Sequence, residues 1–152
     1  MVELRRMSPE VFDKYMDFIW NDYRSEVLKA GFTEEQADTA TENAKKQILN
    51  DGVPNEDQRF FEVFAGEKNV GLIHIAKQGD EGGWYIYYIL INEPERGNGF
   101  GKQAMLAAEN YVKSQNGKWI ALNVFGFNAT ARNLYESLNY EIRSISMRKE
   151  IV

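Results

Sequence analysis

Hydrophobic positions near the start of the chain recur at the spacing of an α-helix. Ser8 and Pro9 precede this segment and Gly31 follows it. A serine N-cap with proline at the first helical position is typical of a helix start, and glycine just beyond the last turn is typical of its end. A second helix is predicted from the capping box Thr33–Gln36 to the turn at 50–52. The recurring hydrophobic positions of the first helix are Phe12, Tyr15, Met16, Ile19, Tyr23 and Val27.

The rest of the chain alternates between apolar runs that are typical of strands and one-sided patterns that are typical of helices. The predicted strands are 2–7, 59–66, 70–78, 84–91, 118–125 and 140–151, and the later predicted helices are 100–115 and 128–139. The resulting order is β-α-α-β-β-β-α-β-α-β. It predicts one α/β (or α+β) domain over residues 1–152 with a mixed sheet.

Three glycines alternate between an arginine and a lysine in the segment Arg96–Lys102, which joins a predicted strand to a predicted helix. Such a turn presents unpaired N–H groups at a helix N-terminus, and phosphate is their natural ligand. Two known phosphate motifs do not fit. The dinucleotide pattern G-x-G-x-x-G would need glycine at Lys102, and Asn123 stands where its acidic residue belongs. The P-loop pattern would need glycine at Arg96 and serine or threonine at Gln103.

A third pattern, R-x-x-G-x-G, does fit the segment Arg96–Gly101, which resembles the pyrophosphate loop of the GNAT acetyltransferase superfamily. Further along, Asn128 opens a helix and Tyr135 follows it, which is similar to the second signature of that superfamily. Two departures are Asn139-Tyr140 in place of the usual Gly-Phe, and Pro94 one place nearer the arginine than expected. The resemblance covers essentially the whole chain. It implies a central mixed, mostly antiparallel twisted sheet of about six or seven strands flanked by about four helices.

The resemblance also implies acetyl-coenzyme A as co-substrate, with no metal. The loop would bind the pyrophosphate, and the strand Trp84–Ile91 would pair with the pantetheine arm like an added strand. The backbone N–H of Ile89 would face the thioester oxygen, and Tyr135 would be the general acid for the departing thiolate. Asn128 is also a good N-cap in its own right, and helix-borne tyrosines are commonly packed in cores. The implied binding residues are Ile89, Leu90, Ile91, Arg96, Gly97, Asn98, Gly99, Phe100, Gly101, Lys102, Asn128, Ala131 and Tyr135.

The sequence does not identify the general base. Some members of the superfamily use a glutamate on the strand before the loop, but Trp84–Ile91 contains no carboxylate. The candidates are Glu62 and His74 on neighbouring strands, Tyr87 or Tyr88, or a chain of water molecules. His74 is the one histidine and titrates in a useful range, although a lone histidine in an apolar stretch is often structural.

Composition narrows the classes of partner and compartment. The chain contains no cysteine, which excludes disulfides, thiolate metal sites and cysteine-bound intermediates. Its formal net charge of −5 argues against nucleic acid and favours a cationic ligand. The N-terminus has no apolar signal core, and the longest apolar run is too short to span a bilayer. We therefore expect a cytoplasmic protein with no membrane partner.

Together these features predict an N-acetyltransferase that transfers an acetyl group directly to the primary amine of a small molecule or peptide. A second version of this reaction would use a longer acyl-coenzyme A as the donor. The alternative from another class is a non-catalytic acyl-coenzyme A-binding or regulatory module with the same fold. Dimers are common in the superfamily, so the resemblance is compatible with a homodimer. The resemblance implies that residues 9–50 wall the acceptor site, where the side chains that favour a cationic amine are Phe18, Trp20, Tyr23, Glu26 and Glu42.

Overall fold

The computed structural model describes all residues from 1 to 152 and begins with a short strand and two helices. Helix α1 (Pro9–Lys29) begins where Ser8 Oγ accepts a hydrogen bond from the N–H of Val11. Helix α2 (Glu34–Ile48) begins with a complete capping box between Thr33 and Gln36. Both helix starts agree with the sequence, because each is specified by side chains within the first turn.

Five strands form the main sheet in the order β1-β4-β5-β6-β7, and two short strands form a separate hairpin. The first four strands of the sheet are antiparallel, whereas β7 runs parallel to β6. The strands are β1 (Val2–Arg6), β2 (Leu49–Asn50), β3 (Val53–Pro54), β4 (Gln58–Ala65), β5 (Lys68–Gln78), β6 (Gly83–Ile91) and β7 (Trp119–Leu122).

Helix α3 (Phe100–Ser114) connects the two parallel strands, and helix α4 (Ala129–Ser137) follows β7. A single 3₁₀ turn, Glu93–Glu95, lies between β6 and the glycine segment. None of the helices combines the length and the apolar character that a membrane span requires.

Alternate residues of the central strands supply two separate hydrophobic cores, one on each face of the sheet. Ile73 and Ile75 of β5 belong to the core that α3 covers. Leu72 of β5 and Phe60 of β4 belong to the core that contains residues of α1 and α2. The sheet therefore lies between two helical layers, as α/β domains require.

The predicted final strand over 140–151 is not formed. Residues beyond Ser137 adopt no regular helix or strand. No backbone hydrogen bond involves any residue after Tyr140. The alternating sequence is appropriate for a strand, but a strand requires a neighbour, and none is paired with this segment. The main sheet accordingly has five strands where about six or seven were expected.

Candidate active site

The parallel strands β6 and β7 separate partway along their length. They pair only from Gly83 to Ile86 of β6, while β6 continues to Ile91 alongside β5. The register with β5 skips Tyr87, which marks a β-bulge at the point of separation. Bulges bend a strand and increase its twist. The second half of β6 therefore has one paired edge and one edge that faces an opening.

The direction of the backbone groups along this half of β6 follows from the ladder. The N–H of Asn92 donates to Val70 O at 2.8 Å, so this residue is bonded toward β5. Antiparallel ladders alternate bonded and non-bonded pairs, which places the groups of Leu90 toward β5 and those of Ile89 and Ile91 toward the opening. The carbonyl of Ile91 accepts a hydrogen bond from Arg96 Nε at 2.9 Å, as this alternation requires.

The opening between the two strands is a cleft of about 880 Å³. Its walls come from α1, the second half of β6, the glycine segment, the end of β7 and α4. The cleft lies beyond the carboxyl end of a parallel strand pair, which is where α/β folds place their ligands.

The glycine segment supplies one end of the cleft with free N–H groups. Gly97 and Gly99 have φ of 84° and 79°, a region that glycine adopts without strain. Helix α3 has no side-chain cap, and its first backbone bond runs from Gln103 N to Gly99 O. The N–H groups of residues 97–102 have no acceptor within the chain. A helix start with this many free donors is suited to an anion.

The side chains of the segment contribute less than its backbone. Arg96 lines the cleft but also ties the segment to the end of β6. Asn98 donates to Glu95 O at 3.0 Å, and neither Asn98 nor Lys102 is among the residues that line the cleft. A Cβ on Gly99 would meet no atom within 4 Å, whereas one on Gly101 would lie 3.5 Å from Leu134 Cδ2. Gly99 therefore faces open space, and a Cβ on Gly101 would make an ordinary contact with α4.

Helix α4 brings the second predicted motif to the opposite wall. Asn128 Oδ1 accepts a hydrogen bond from the N–H of Ala131 at 3.1 Å, so Asn128 is the N-cap of the helix. Asn128, Ala131 and Tyr135 all line the cleft. The ring of Tyr135 is 9% exposed and packs edge-on against Tyr140. Burial, and then the negative charge of Glu26, raise the pKa of Tyr135.

An acidic pair on α1 faces the same cleft. Asp22 and Glu26 are one helical turn apart, and the hydroxyl of Tyr88 donates a hydrogen bond to Asp22. Burial raises the pKa of Glu26, and the neighbouring Asp22 carboxylate raises it further. Sequence reasoning named Glu26 but missed Asp22. The available signal was their i, i+4 spacing beside the apolar face of α1.

Two of the candidate bases, His74 and Glu62, lie outside this cleft. His74 is 2% exposed, stacks on Phe60 with ring centroids 3.8 Å apart and has Nε2 2.6 Å from Gln58 Oε1. Burial lowers the pKa of His74 to about 3, which leaves a weak proton acceptor. Glu62 accepts hydrogen bonds from Tyr15 and Asn69. Neither His74 nor Glu62 lines the cleft, although His74 pairs with Tyr88 of β6, which does.

A smaller cavity of about 310 Å³ adjoins the cleft between the sheet and the helical pair. Tyr23, Tyr87 and Tyr88 line both spaces. Trp20 and His74 line the smaller cavity, whereas Phe18 and Glu42 line neither. The helical pair therefore does wall the region next to the cleft, although only part of the predicted aromatic and acidic set reaches it.

Comparison with known proteins agrees with this geometry. Residues 12–140 match the family model described as acetyltransferase (GNAT) family. The chain belongs to the GNAT acetyltransferase family. It is 27% identical to the uncharacterized N-acetyltransferase YycN of Bacillus subtilis (strain 168) over 154 residues, covering 99% of each chain. It is 24% identical to the uncharacterized N-acetyltransferase YdgE of the same organism, covering 97% of each.

The crystal structure of YycN from Bacillus subtilis superposes on this GNAT protein with a TM-score of 0.91 and 28% identity. The superposition covers 100% of this chain and 99% of the other. The predicted GNAT fold and the prediction of an acyltransferase enzyme are therefore confirmed. The family uses acetyl-coenzyme A as co-substrate.

Proposed function

We propose that this GNAT protein transfers an acetyl group from acetyl-coenzyme A to a primary amine in the cleft between β6 and β7. The observation that carries the proposal is the run of free N–H groups over residues 97–102, because four of these residues line the same cleft as the free edge of β6. They are Gly97, Gly99, Phe100 and Gly101.

These donors match the chemistry of the proposed co-substrate. A pyrophosphate is an anion that a helix N-terminus with several free N–H groups can bind. The pantetheine arm is a chain of amides, and the cleft-facing groups of Ile89 and Ile91 offer it the hydrogen bonds of an added strand. In this arrangement the Ile89 N–H is the donor for the thioester oxygen, which becomes negative during attack. Ala131 and Asn128 would contact the arm from α4.

Asp22 and Glu26 support a cationic acceptor. An amine with a pKa near that of lysine is protonated at neutral pH and must lose a proton before it attacks. The acidic pair would attract the cation, and Glu26 would accept the proton directly or through water. The tyrosines shared with the smaller cavity add aromatic faces, which also favour cations.

Tyr135 would complete the transfer. Nitrogen attacks the acetyl carbon, the carbon–sulfur bond breaks, and the departing sulfur takes a proton. Tyr135 lines the cleft, and its raised pKa keeps its hydroxyl protonated at neutral pH. It is therefore able to be the donor. Because the amine attacks the acetyl carbon directly, no acyl-enzyme is formed.

The test is the release of free thiol from acetyl-coenzyme A with a panel of amines. The panel contains monoamines, polyamines, peptides with a free N-terminus and peptides with lysine, together with a neutral alcohol as control. We expect release with at least one cationic amine and acetylation of that amine by mass spectrometry. A second donor with a longer acyl chain tests the acyl preference. Binding of acetyl-coenzyme A without release for any acceptor would favour the non-catalytic alternative.

A further inference from the structure

His74 is the one histidine of the chain, and aromatic rings flank its imidazole. The ring stacks on Phe60 of β4 with centroids 3.8 Å apart, and on Tyr87 of β6 with centroids 5.1 Å apart. These two strands lie on either side of β5, which carries His74. The imidazole is therefore open to another molecule only along its edge, and it is one of the residues that line the smaller cavity.

A chain of side-chain amides decides which ring nitrogen of His74 carries the proton. Two backbone groups orient Asn55, whose Nδ2 donates to Gln47 O at 3.0 Å and whose Oδ1 accepts from the N–H of Asp57 at 3.1 Å. Gln58 Nε2 donates to Asn55 Oδ1 at 3.2 Å. This bond leaves Gln58 Oε1 to face His74 Nε2 at 2.6 Å. A carbonyl oxygen can only accept, so the proton is on Nε2.

The other ring nitrogen, Nδ1, is then a hydrogen-bond acceptor. Burial lowers the pKa of His74 to about 3, so the imidazole is neutral and holds a single proton at physiological pH. Nδ1 receives no hydrogen bond from the chain, yet the one sealed side-chain polar atom without a partner is Gln103 Oε1. Nδ1 is therefore not sealed and opens to the smaller cavity. An acceptor in this position favours a ligand that donates a hydrogen bond.

The rest of the smaller cavity is aromatic and uncharged. None of its eleven lining residues is a lysine, arginine, aspartate or glutamate, and Trp20, Tyr23 and Tyr88 supply aromatic rings. Its volume of about 310 Å³ is at the small end of ligand pockets. Tyr23 and Tyr88 also line the main cleft, where the Tyr88 hydroxyl donates to Asp22. One small molecule can therefore extend from the acidic pair to His74, but a second cation would meet no carboxylate there.

We propose that His74 selects the acceptor, which is a primary amine whose uncharged aromatic tail ends in a hydrogen-bond donor. The ammonium group lies beside Asp22 and Glu26, the tail enters the smaller cavity, and a hydroxyl such as that of a phenol donates to Nδ1. Gln58 is a positioning residue that keeps the proton on Nε2. This substrate class rests on the proposed acetyl transfer, whereas the hydrogen bond to His74 needs no turnover.

The first test observes the ring nitrogens directly. Because the chain has one histidine, ¹⁵N-labelled histidine gives a single pair of ring signals in NMR. We expect Nε2 to be protonated and Nδ1 to be unprotonated. Tyramine, added with free coenzyme A, should move the Nδ1 signal toward the protonated range, whereas its para-fluoro analogue, which cannot donate, should not. A proton on Nδ1, or an Nδ1 signal that tyramine leaves in place, would overturn the proposal.

The second test compares kcat/KM for tyramine, the para-fluoro analogue and spermidine. Tyramine should exceed the analogue by about tenfold, which is the contribution of one hydrogen bond, and should also exceed spermidine. In His74→Phe the preference over the analogue should fall to about one. Acetylation of spermidine or peptides without the aromatic amines would overturn the substrate class and leave the proposed function intact. Turnover of no amine would reject the proposed function, and the NMR result would still decide the role of His74.

A double variant separates selection from folding. His74→Phe keeps a stacked ring but leaves Gln58 Oε1 without a partner, which can lower stability. Adding Gln58→Met removes both partners, so Tm should recover while the preference for tyramine remains absent. The control is Tyr15→Phe, which loses a hydrogen bond to Glu62 and lines neither cavity. It should keep the tenfold preference. A folded double variant that also keeps this preference would show that His74 does not select the acceptor.

Discussion

At the scale of single residues, Tyr135 and Glu26 approach one cleft from different helices and are suited to opposite proton transfers. Burial raises the pKa of both groups, and the Glu26 charge raises that of Tyr135 further. A raised pKa keeps the tyrosine protonated and makes the glutamate a stronger base. At the ordinary pKa values of about 10 and about 8.5, proton transfer from tyrosine to a thiolate is uphill by about 2 kcal/mol. The raised pKa of Tyr135 adds to this cost.

Tyr135→Phe separates catalysis from packing, because it keeps the ring and removes only the hydroxyl. We expect kcat to fall by about 100-fold or more, the low end for loss of a general acid. The Kd for acetyl-coenzyme A should be nearly unchanged, since the proton is needed only as the bond breaks. In the natural enzyme the alkaline limb of the pH–rate profile should fall at a pH above the ordinary tyrosine pKa. In Tyr135→Phe this limb should shift.

The matched control for that variant is Tyr140→Phe. Tyr140 packs against Tyr135 and bonds to Glu109, but it does not line the cleft. The Tyr140→Phe variant should keep near-normal turnover. If Tyr135→Phe also keeps it, with chemistry shown to be rate-limiting, then Tyr135 is a packing residue and water is the proton donor.

Glu26→Gln removes the proposed base and one negative charge. We expect kcat/KM for a cationic amine to fall by about 100-fold. In the natural enzyme the active form is the carboxylate, so activity should be lost as pH falls through the raised pKa of Glu26. That acid limb should be absent in Glu26→Gln. In Asp22→Asn it should move to lower pH, because a neighbouring negative charge has been removed.

Glu42→Gln is the control for these acidic variants. Glu42 lies on α2, is exposed, pairs with Lys45 and lines neither cavity. The Glu42→Gln substitution removes the same charge from the same helical pair, so it measures the effect of net charge alone. Equal losses in Glu42→Gln and Glu26→Gln would assign the effect to net charge and reject Glu26 as the base.

At the scale of elements, the candidate site depends on two neighbouring features, the free edge of β6 and the uncapped start of α3. Neither feature is made by a catalytic side chain. The bulge at Tyr87 turns β6 away from β7, and the glycines open the helix start to the cleft. Backbone groups therefore supply most of the proposed binding, which is consistent with Asn98 and Lys102 lying outside the cleft.

Gly99→Glu tests the glycine segment. Two unit charges 4 Å apart repel by about 4 kcal/mol at an effective dielectric constant of about 20. We therefore expect affinity for acetyl-coenzyme A to fall by at least about 100-fold in calorimetric titration. Gly66→Glu is the matched control. Gly66 also has a positive φ and open space around it, but it lies in the β4–β5 turn. Unchanged affinity in a folded Gly99→Glu would reject the assignment.

The elements that the sequence predicts well are those whose signals are local. Ser8-Pro9 and Thr33–Gln36 mark helix starts by chemistry within one turn, and the glycines of Arg96–Gly101 mark a turn that leads into a helix. The separation of β6 from β7 is not local, because it depends on which strand pairs with which and where a bulge falls. Asp22 was missed for a similar reason, since the rotation of α1 on the sheet decides which polar residues face the cleft. The segment 140–151 has a strand pattern but no partner within the chain.

At the scale of the whole molecule, the cleft draws its walls from parts that belong to different cores. Tyr135 packs with the core on the α3 side of the sheet, whereas α1 packs with the core on the other side. A ligand held between α4, β6 and α1 would therefore connect both helical layers. Binding of such a ligand to the folded state alone should stabilise the entire domain.

Thermal unfolding with different nucleotide ligands tests this idea. Acetyl-coenzyme A at 100 times its Kd should add about 2.7 kcal/mol to the free energy of unfolding. For a domain of this size that corresponds to a rise in Tm of roughly 5–11 °C. ATP and NAD should give no measurable rise, because Gln103 and Asn123 stand where their binding motifs need other residues. Gly99→Glu should lose the shift with acetyl-coenzyme A, whereas Gly66→Glu should keep it. A shift with NAD and none with acetyl-coenzyme A would show that the cleft binds a different class of ligand.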